Sequence, residues 1–308
     1  MITTICLNPS FDRAVELDTL KIGEVNRIRE LREDMGGKGI NVAVVAQRLG
    51  LEAQCIGTMG AEGYEKLCSM MDQEKLKHHF LKIPGRVREN LKLVLKNEKG
   101  ITELNEEGAP LDENNLKAFF DLAKEKTLES DMVVLTGSLP PGCPQGVYRD
   151  LMIALDGKKC ILDTQGPELE MAAKGAKPFL IKPNLHEMEV TLGLELRTMR
   201  SIRDAALLFL RLGVEHVIIT MGAMGAMYVD QERTLFAPAL RVTTKSTVGA
   251  GDAMLGGILL GYEKEGNMAK AFRYGVAAAA ANVMTEGTQS IVPEDFRNLM
   301  DQVRIQEV

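Results

Sequence analysis

Apolar and polar positions along the chain follow two alternating kinds of pattern. Short apolar runs, rich in β-branched residues, have the length of buried β-strands. Between several runs the apolar residues recur every three or four positions, as in helices; residues 42–49 do so and end at Gly50, and residues 201–212 end at Gly213. Strands that alternate with helices predict an α/β fold with a mainly parallel sheet covered on both faces. The predicted strands are residues 2–7, 54–57, 131–135, 160–162, 179–181 and 217–219.

Two segments do not follow this alternation. Residues 90–95 alternate polar and apolar positions, break at Asn97-Glu98-Lys99-Gly100 and resume at residues 101–104, which predicts a β-hairpin. Residues 11–35 have a similar pattern, with strand-like pieces on either side of residues 21–23. We expect the two segments to form a small antiparallel sheet outside the main one. The pattern is compatible both with a lid that closes over a site and with a decoration at the sheet edge.

Size and charge narrow the class of protein. A chain of 308 residues with 45% hydrophobic and 26% charged residues has the material for one large α/β domain and a small appendage. Acidic residues outnumber basic ones 43 to 37 and no dense Lys/Arg run occurs, so nucleic acid is not an expected partner. The first residues lack a basic segment, and the longest apolar stretch, residues 276–281, is too short to span a bilayer. We expect a soluble cytoplasmic protein that does not contact membranes.

Cysteine and histidine usage disfavours disulfide and zinc chemistry. The five cysteines are odd in number, widely spaced and without a CxxC pair, which is typical of reduced, buried thiols. None of the four histidines stands in an HExxH or comparable metal-ligand spacing. A zinc enzyme is therefore not expected.

Small and polar residues follow the predicted strands, where ligands bind in open α/β sheets. They are residues 136–138, Asp163, residues 182–184 and residues 220–222. Any one of these segments alone is typical of an ordinary turn. Their coincidence at one edge of the sheet predicts a binding site there.

The strongest chemical feature of the sequence is the segment Ser-Thr-Val-Gly-Ala-Gly-Asp at residues 246–252, which leads into a helical pattern. A glycine-rich turn that feeds a helix exposes unpaired backbone N–H groups at the positive end of the helix dipole, which favours an anion. Phosphoryl transfer needs such donors and a base beside the attacking hydroxyl. Asp252 would supply that base, with its carboxylate kept ionised by the helix terminus. The alternative is that Asp252 caps the helix, the commoner role for an Asp beside a Gly.

A second glycine-rich segment, Met-Gly-Gly-Lys-Gly-Ile-Asn at residues 35–41, opens the helix that ends at Gly50. Bare glycine backbone allows a polar ligand to approach closely, and Asn41, one turn into the helix, can offer its amide to sugar hydroxyls. Lys38 is either a ligand contact or a solvated surface lysine. The Walker A pattern GxxxxGK[ST] does not occur, which excludes a P-loop ATPase.

Asn184 and Glu187 stand three residues apart at the start of a predicted helix and therefore share one face. An amide and a carboxylate in this arrangement suit a hydrated Mg²⁺ ion, which keeps several waters and takes few ligands from a protein. A helix cap at Asn184 followed by a favourable Glu187 explains the same spacing. Both interpretations stay open.

Together these motifs resemble those of the ribokinase-like carbohydrate kinases, within the phosphofructokinase B branch. The resemblance covers almost the whole chain, in the family's order. Its motifs are Asn8-Pro9-Ser10-Phe11-Asp12, Gly36-Gly37-Lys38-Gly39-Ile40-Asn41, Gly137-Ser138-Leu139-Pro140, Lys182-Pro183-Asn184 with Glu187, residues 220–225 and residues 247–252. It implies a Rossmann-type three-layer sandwich with a mainly parallel central sheet and a small β-sheet lid. The core, residues 1–10, 37–85 and 109–308, would hold ATP and the catalytic site, and residues 11–36 and 86–108 would form the lid over the sugar phosphate.

The resemblance also implies an ATP-dependent sugar-phosphate kinase with a role for each motif. Asp252 would be the catalytic base, and the backbone of Gly249, Ala250 and Gly251 would form the anion hole. Arg88 would bind the phosphate already on the substrate, although a strand Arg is more often a surface residue. The other residues implied in sugar binding are Asp12, Gly37, Lys38, Asn41 and Ser138. Those implied in ATP binding are Lys182, Asn184, Thr220, Gly222, Gly225 and Asn282, and Mg²⁺ would be held by Glu187 and Asn184, partly through water.

The segment that follows Arg88, residues 89–93, reads Glu-Asn-Leu-Lys-Leu and is similar to the Ile-Asn-Val-Lys-Leu pattern of family members that act on fructose 1-phosphate. Members with Asn-Cys at this place act on tagatose 6-phosphate. We therefore expect D-fructose 1-phosphate to be phosphorylated at its 6-hydroxyl, and tagatose 6-phosphate, phosphorylated at its 1-hydroxyl, is the alternative. The resemblance also implies a homodimer that forms through the exposed lid.

Two alternatives from other classes predict different sequences. A non-catalytic sugar-phosphate sensor on the same fold would have a damaged Gly-Ala-Gly-Asp turn or lack Glu187, and both features are intact. A dehydrogenase on a Rossmann sheet would carry GxGxxG after the first strand, where Leu7-Asn8-Pro9-Ser10 stands instead.

Overall fold

Strands and helices alternate along the chain in the predicted order. The computed structural model describes residues 1–96, 101–286 and 291–308, and all six predicted core strands are present. The strands are β1 (Ile2–Cys6), β2 (Ser10–Leu17), β3 (Glu30–Gly36), β4 (Ala53–Glu62), β5 (Lys77–Arg86), β6 (Arg88–Leu95), β7 (Ile101–Asn105), β8 (Met132–Thr136), β9 (Lys159–Asp163), β10 (Leu180–Ile181), β11 (His216–Thr220), β12 (Ala226–Val229), β13 (Thr234–Ala237) and β14 (Gln306–Glu307).

The helices end where the glycines predict. Gly50, just after the first helix, has φ +97°, and Gly213, just after the seventh, has φ +102°, a conformation that side chains with a Cβ rarely adopt. The helices are α1 (Lys38–Arg48), α2 (Tyr64–Gln73), α3 (Glu113–Lys126), α4 (Val147–Ala154), α5 (Gly166–Ala176), α6 (Leu185–Leu192), α7 (Met199–Arg211), α8 (Ala250–Glu265), α9 (Met268–Val283) and α10 (Pro293–Met300).

The main sheet is parallel except at one edge. Among the described residues it has ten strands, in the order β14-β13-β12-β11-β10-β9-β8-β1-β4-β5. The pairs from β11 to β5 are parallel, whereas β12, β13 and β14 add antiparallel pairs beyond β11. The antiparallel edge was not predicted, because its strands are only two to four residues long.

Helices cover both faces of this sheet. Alternate side chains of a strand point to opposite faces, so Val133 and Leu135 on β8 belong to the core that includes residues of α3, α4, α5 and α7, while Met132 and Val134 belong to the core that includes residues of α1, α8 and α9. All five residues of β8 are buried, as expected for a strand covered on both faces. The predicted three-layer α/β sandwich is confirmed.

A separate small sheet is formed by β2, β3, β6 and β7, in the order β3-β2-β6-β7. The predicted hairpin pairing of β6 with β7 is confirmed, and its turn, residues 97–100, lies outside the described residues. The prediction of a wholly antiparallel sheet is wrong, because β2 and β6 are parallel. A parallel pair needs a long crossover, and here the chain passes through the main sheet between the two strands. The domain boundaries given above stay a prediction.

No helix in the described ranges has the length and apolar character needed to cross a bilayer. The cytoplasmic location stays a prediction.

Candidate active site

The carboxyl ends of the parallel strands and the small sheet border one large cavity, about 1040 Å³ in volume. Asp163 and residues 136–138, which lie at the carboxyl ends of the adjacent strands β9 and β8, line it. The structure also brings together there nearly all the site residues predicted from the sequence. They are Asp12, Gly37, Lys38, Asn41, Arg88, Ser138, Lys182, Asn184, Glu187, Thr220, Gly222, Gly225, Gly249, Ala250, Gly251 and Asp252.

Asp252 lies at the point where the two glycine-rich segments meet. Helix α8 begins at Ala250, after Gly249 in the left-handed region at φ +81°, so the turn requires glycine there. Asp252 is the third residue of the helix and makes no side-chain capping bond, so the capping alternative is not what this structure contains. Its Oδ2 instead accepts a 2.7 Å hydrogen bond from Asn41 Nδ2. The carboxylate thereby lines the cavity at the start of the helix, where the first backbone N–H groups have no partner within the helix itself.

The Asp252 carboxyl has an unusual proton affinity. Burial raises its pKa to about 6, although the ammonium group of Lys38 and the hydrogen bond from Asn41 act in the opposite direction. The sequence predicts a carboxylate kept ionised by the helix terminus, whereas burial is the larger effect in the structure. A group with this pKa is mainly ionised at pH 7 and can still accept a proton, as a general base must.

Two lysines and a buried carboxylate lie beside this helix terminus. Lys182 Nζ is 3.1 Å from Asp163 Oδ1, and Lys38 Nζ is 3.5 Å from Asp163 Oδ2. Burial raises the pKa of Asp163, but the two ammonium groups outweigh it and hold the net pKa below its usual range. A Cβ on Gly251 would lie 3.2 Å from Lys182 Nζ, so this ammonium is next to the glycine-rich turn. The arrangement offers positive charge and backbone donors to a phosphate group.

Asn184 and Glu187 form a complete capping box at the start of α6. Asn184 Oδ1 accepts from the Glu187 backbone N–H, and Glu187 Oε2 accepts from the Asn184 backbone N–H, each at 2.8 Å. The second oxygen of Glu187, Oε1, lies 3.4 Å from Lys38 Nζ and borders the cavity. The capping interpretation is thus observed, and a metal role stays a prediction.

The donors at this place suit Mg²⁺. Carboxylate and amide oxygens are its preferred ligands, and it needs few of them because it keeps bound waters. In the parts of the chain that the structure describes, no group of three or more acidic, His or Cys side chains is arranged to hold a metal. Glu187 and Asn184 would hold such an ion only if water supplied most of its other ligands.

Asp12 lies on the small sheet in a buried polar network. Its Oδ2 is 2.7 Å from Lys92 Nζ, and its Oδ1 accepts from Ser10 Oγ and Asn90 Nδ2 at 2.8 and 2.9 Å. Asn90 and Lys92 line the cavity, whereas in the sequence they counted only as part of the substrate pattern at residues 89–93 and were not placed in the site. In an alternating strand, polar residues are normally read as solvent-facing, and only the position of this sheet over the cavity buries them.

Arg88 extends into the cavity from the start of β6. Its Nε donates to the Asn8 carbonyl at 3.1 Å and its Nη1 to the Glu106 carbonyl at 3.3 Å. Within the described ranges no carboxylate lies within ion-pair distance of its guanidinium. Burial lowers the pKa of Arg88, but a guanidinium stays charged at physiological pH. A guanidinium group without a carboxylate partner is suited to bind a phosphate group.

Part of the cavity wall consists of small and apolar residues. Gly225 has φ +113°, and a Cβ there would collide with the Ala237 carbonyl, so the turn after β11 requires glycine. Asn282 does not line the cavity; it is fully buried in α9. The small and apolar lining residues are Ala239, Leu240, Val242, Val276, Ala279, Ala280 and Val283.

A family profile, curated proteins and solved structures of sugar kinases each match this chain over most of its length. The sequence profile of the pfkB family carbohydrate kinases matches residues 7–295. A protein of Bacillus subtilis (strain 168) named 1-phosphofructokinase is 32% identical over 298 residues, which cover 96% of this chain and 97% of that protein. A 1-phosphofructokinase of Haemophilus influenzae is 33% identical and covers 98% of this chain and 96% of that protein. Among solved structures, phosphofructokinase-2 from Escherichia coli in complex with potassium is similar with a TM-score of 0.91 and 29% identity, over 98% of both chains.

Proposed function

The chain belongs to the pfkB family of carbohydrate kinases, and we propose that it transfers a phosphoryl group from ATP to the 6-hydroxyl of D-fructose 1-phosphate, giving fructose 1,6-bisphosphate. The general activity, ATP-dependent phosphorylation of a sugar, follows from the family and its relatives. The substrate, the chemical roles and the metal are the parts that we propose.

The observation that carries the proposal is the pairing of two groups in one cavity. Asp252 is a buried carboxylate at a helix terminus, and Arg88 is a partly buried cation without a carboxylate partner among the described residues. A substrate that carries a phosphate at one end and a reactive hydroxyl at the other satisfies both groups. Relatives named 1-phosphofructokinase, 32% and 33% identical over nearly the full chain, favour fructose 1-phosphate among such sugars.

The reacting hydroxyl would lie beside Asp252, which accepts its proton as the oxygen attacks the terminal phosphorus of ATP. The backbone N–H groups of Gly249, Ala250 and Gly251 would stabilise the charge on the transferred phosphoryl oxygens. Lys182 lies against Gly251 and would contact the same phosphates. The new P–O bond forms to the sugar oxygen, the bond to the β-phosphate oxygen breaks, and ADP leaves.

The remaining groups would bind and orient. Glu187 and Asn184 would hold Mg²⁺, which supplies neutralisation of phosphate charge when bound. The small sheet, over the cavity, would act as a lid that excludes water and aligns the two substrates. The proposed sugar contacts are Asp12, Gly37, Lys38, Asn41, Arg88 and Ser138, and the proposed nucleotide contacts are Lys182, Asn184, Thr220, Gly222 and Gly225.

A second copy of the chain would pair through the small sheet. Ile22 and Val25, in the loop between β2 and β3, are 94% and 88% exposed, and Leu31 and Leu104 are more than half exposed. Apolar side chains at such exposure are typical of an interaction surface. Light scattering coupled to size-exclusion chromatography would give twice the chain mass of 33.8 kDa, and a monomer would contradict a dimer.

A coupled assay of ADP release tests the substrate. kcat/KM would be measured with Mg-ATP and fructose 1-phosphate, tagatose 6-phosphate, fructose 6-phosphate or unphosphorylated fructose. Fructose 6-phosphate is included because phosphofructokinase-2 from Escherichia coli, solved in complex with that sugar, is 27% identical. A clear preference for fructose 1-phosphate supports the proposal, and a preference for another phosphate corrects the substrate. Activity on none of the sugars would favour a sensor.

A further inference from the structure

Asp12 and Lys92 form a buried ion pair on the face of the small sheet that borders the cavity. Lys92 Nζ lies 2.7 Å from Asp12 Oδ2, and the two side chains are 8% and 11% exposed, Asp12 being the less exposed. The other oxygen of Asp12 accepts from Ser10 and Asn90. Gly36 closes the remaining side, since a Cβ there would collide with the Asp12 carboxylate. Asp12 is therefore held in one orientation.

Asp12 and Lys92 differ in how many of their hydrogen-bonding positions are used. An ionised carboxylate offers about four acceptor positions, and an ammonium group offers three donors. Three acceptor positions of Asp12 are used, by Ser10, Asn90 and Lys92. Within the described ranges, Lys92 Nζ donates to Asp12 alone. Two donors therefore remain on a buried group that lines the cavity, and a ligand with oxygen atoms there would satisfy them.

Lys92 and Arg88 differ in what they can bind. They lie four residues apart on β6, with Asn90 between them, so all three side chains point to one face of the strand. Arg88 has no carboxylate partner among the described residues, whereas the charge of Lys92 is compensated by Asp12. A phosphate dianion is therefore favoured at Arg88. The neutral Asp12–Lys92 pair suits uncharged hydroxyl groups.

We propose that Lys92 determines specificity for the hydroxyl pattern of the sugar, by donating hydrogen bonds to sugar oxygens while it holds Asp12 in place. This inference rests on the proposed function, because it places a phosphorylated ketohexose in the cavity. Recognition is then divided along one strand: Arg88 recognises the phosphate, and the Asp12–Lys92 pair recognises the hydroxyls.

The test compares the wild type with Lys92→Met on the ketohexose phosphate that the wild type turns over fastest. The same enzymes are assayed on the 3-deoxy and 4-deoxy analogues of that substrate and on its unphosphorylated parent. In the wild type, loss of the hydroxyl that the pair holds should lower kcat/KM by at least about tenfold, because buried polar groups are left unpaired. In Lys92→Met this penalty should shrink to about threefold or less, while the preference for the phosphorylated sugar stays within about threefold of the wild type.

Two further variants make the result decisive. Lys96→Met removes an exposed lysine just after β6, four residues from Lys92, and should leave every ratio unchanged. Lys92→Met leaves Asp12 as a buried charge, so the double variant Asp12→Asn with Lys92→Met, which removes both charges, gives the same comparison if the single variant does not fold. A full deoxy penalty in the folded variant would overturn the proposal, as would a loss confined to the phosphate preference. A wild-type preference for another sugar phosphate contradicts the proposed substrate, but the deoxy comparison on that sugar still decides the role of Lys92.

Discussion

Asn41 donates a 2.7 Å hydrogen bond to Asp252 across 211 positions of sequence, and so joins the first turns of α1 and α8. Each residue belongs to one of the two glycine-rich segments that the sequence singled out. The bond does two things at once: it fixes the direction of the carboxylate and stabilises its ionised form. The proposed base and its orienting group therefore come from opposite ends of the chain.

Replacement of Asp252 by Asn should lower kcat by about 10²–10⁴-fold, since the isosteric amide cannot accept the proton of the hydroxyl. The ATP dissociation constant should stay within about twofold, because the Asp252 side chain is not among the proposed nucleotide contacts. Steady-state kinetics and calorimetric titration with ATP would measure the two effects. Asp204→Asn, at an exposed carboxylate on α7, is the control that should change neither. Unchanged turnover in Asp252→Asn would contradict its role as the base.

The pH dependence of kcat should report the Asp252 pKa. The base acts in its ionised form, so activity is full above the pKa and is lost as the pH falls through about 6. Asn41→Leu removes a donor that stabilises the ionised form, so the pKa rises further and the acid limb should move up by about one pH unit. Gln47→Leu on the same helix removes an amide that donates to the Glu74 and Lys75 carbonyls and should leave the limb in place. An acid limb that does not move in Asn41→Leu would mean that another group sets it.

Arg88→Gln should weaken binding of the sugar phosphate and leave ATP unaffected. Charge-assisted bonds from a guanidinium to a phosphate are strong, so kcat/KM for the phosphorylated sugar should fall by about 10–100-fold. kcat/KM for the unphosphorylated sugar should change little. Arg86→Gln, two residues earlier, removes an exposed arginine that pairs with Glu106 and serves as the matched control. An effect of Arg88→Gln on the KM for ATP alone would place this residue at the nucleotide instead.

Glu187→Gln separates capping from metal binding. Gln retains an oxygen that can accept the Asn184 backbone N–H, so helix α6 should keep its cap and the melting temperature should change little. The lost charge should raise the Mg²⁺ concentration needed for half-maximal activity by about tenfold. Glu189 is on the same helix and accepts a hydrogen bond from the Leu196 backbone N–H. The control variant Glu189→Gln should leave the Mg²⁺ requirement unchanged. If both variants reach half-maximal activity at the same Mg²⁺ concentration, Glu187 has a capping role and no role in metal binding.

Periodicity was enough to predict six of the ten described strands of the main sheet, since strands covered on both faces are apolar throughout and the helices between them end at glycines. The edge strands β12 to β14 were missed because they are only two to four residues long. The parallel pairing of β2 with β6 was missed because pairing across a long crossover leaves no local pattern. The same limit applies within the site. Lys92 reads as an exposed strand lysine, and its burial depends on Asp12, 80 positions away in the chain. Asp163 was noted as the residue after a strand, but its two lysine partners become visible only in three dimensions.

Asp163 should matter for stability as well as for the position of Lys182 and Lys38. Asp163→Asn removes the charge that compensates two neighbouring ammonium groups, so the free energy of unfolding should fall by about 3–5 kcal/mol, as when one partner of a buried pair is lost. Urea denaturation followed by circular dichroism would measure it. Asp150→Asn, which breaks a partly exposed pair with Arg149, should cost at most about 1 kcal/mol.

The pH dependence of this loss has a defined sign. The pKa of Asp163 is held below its usual range in the folded protein, so its contribution is fully present above the unfolded pKa, about 3.9, and is lost as the pH falls through the lower folded value. The difference in stability between the wild type and Asp163→Asn should therefore be constant between about pH 5 and 8 and shrink below about pH 4. A difference that grew as the pH fell would show that the Asp163 carboxyl is not stabilised in its ionised form by Lys182 and Lys38.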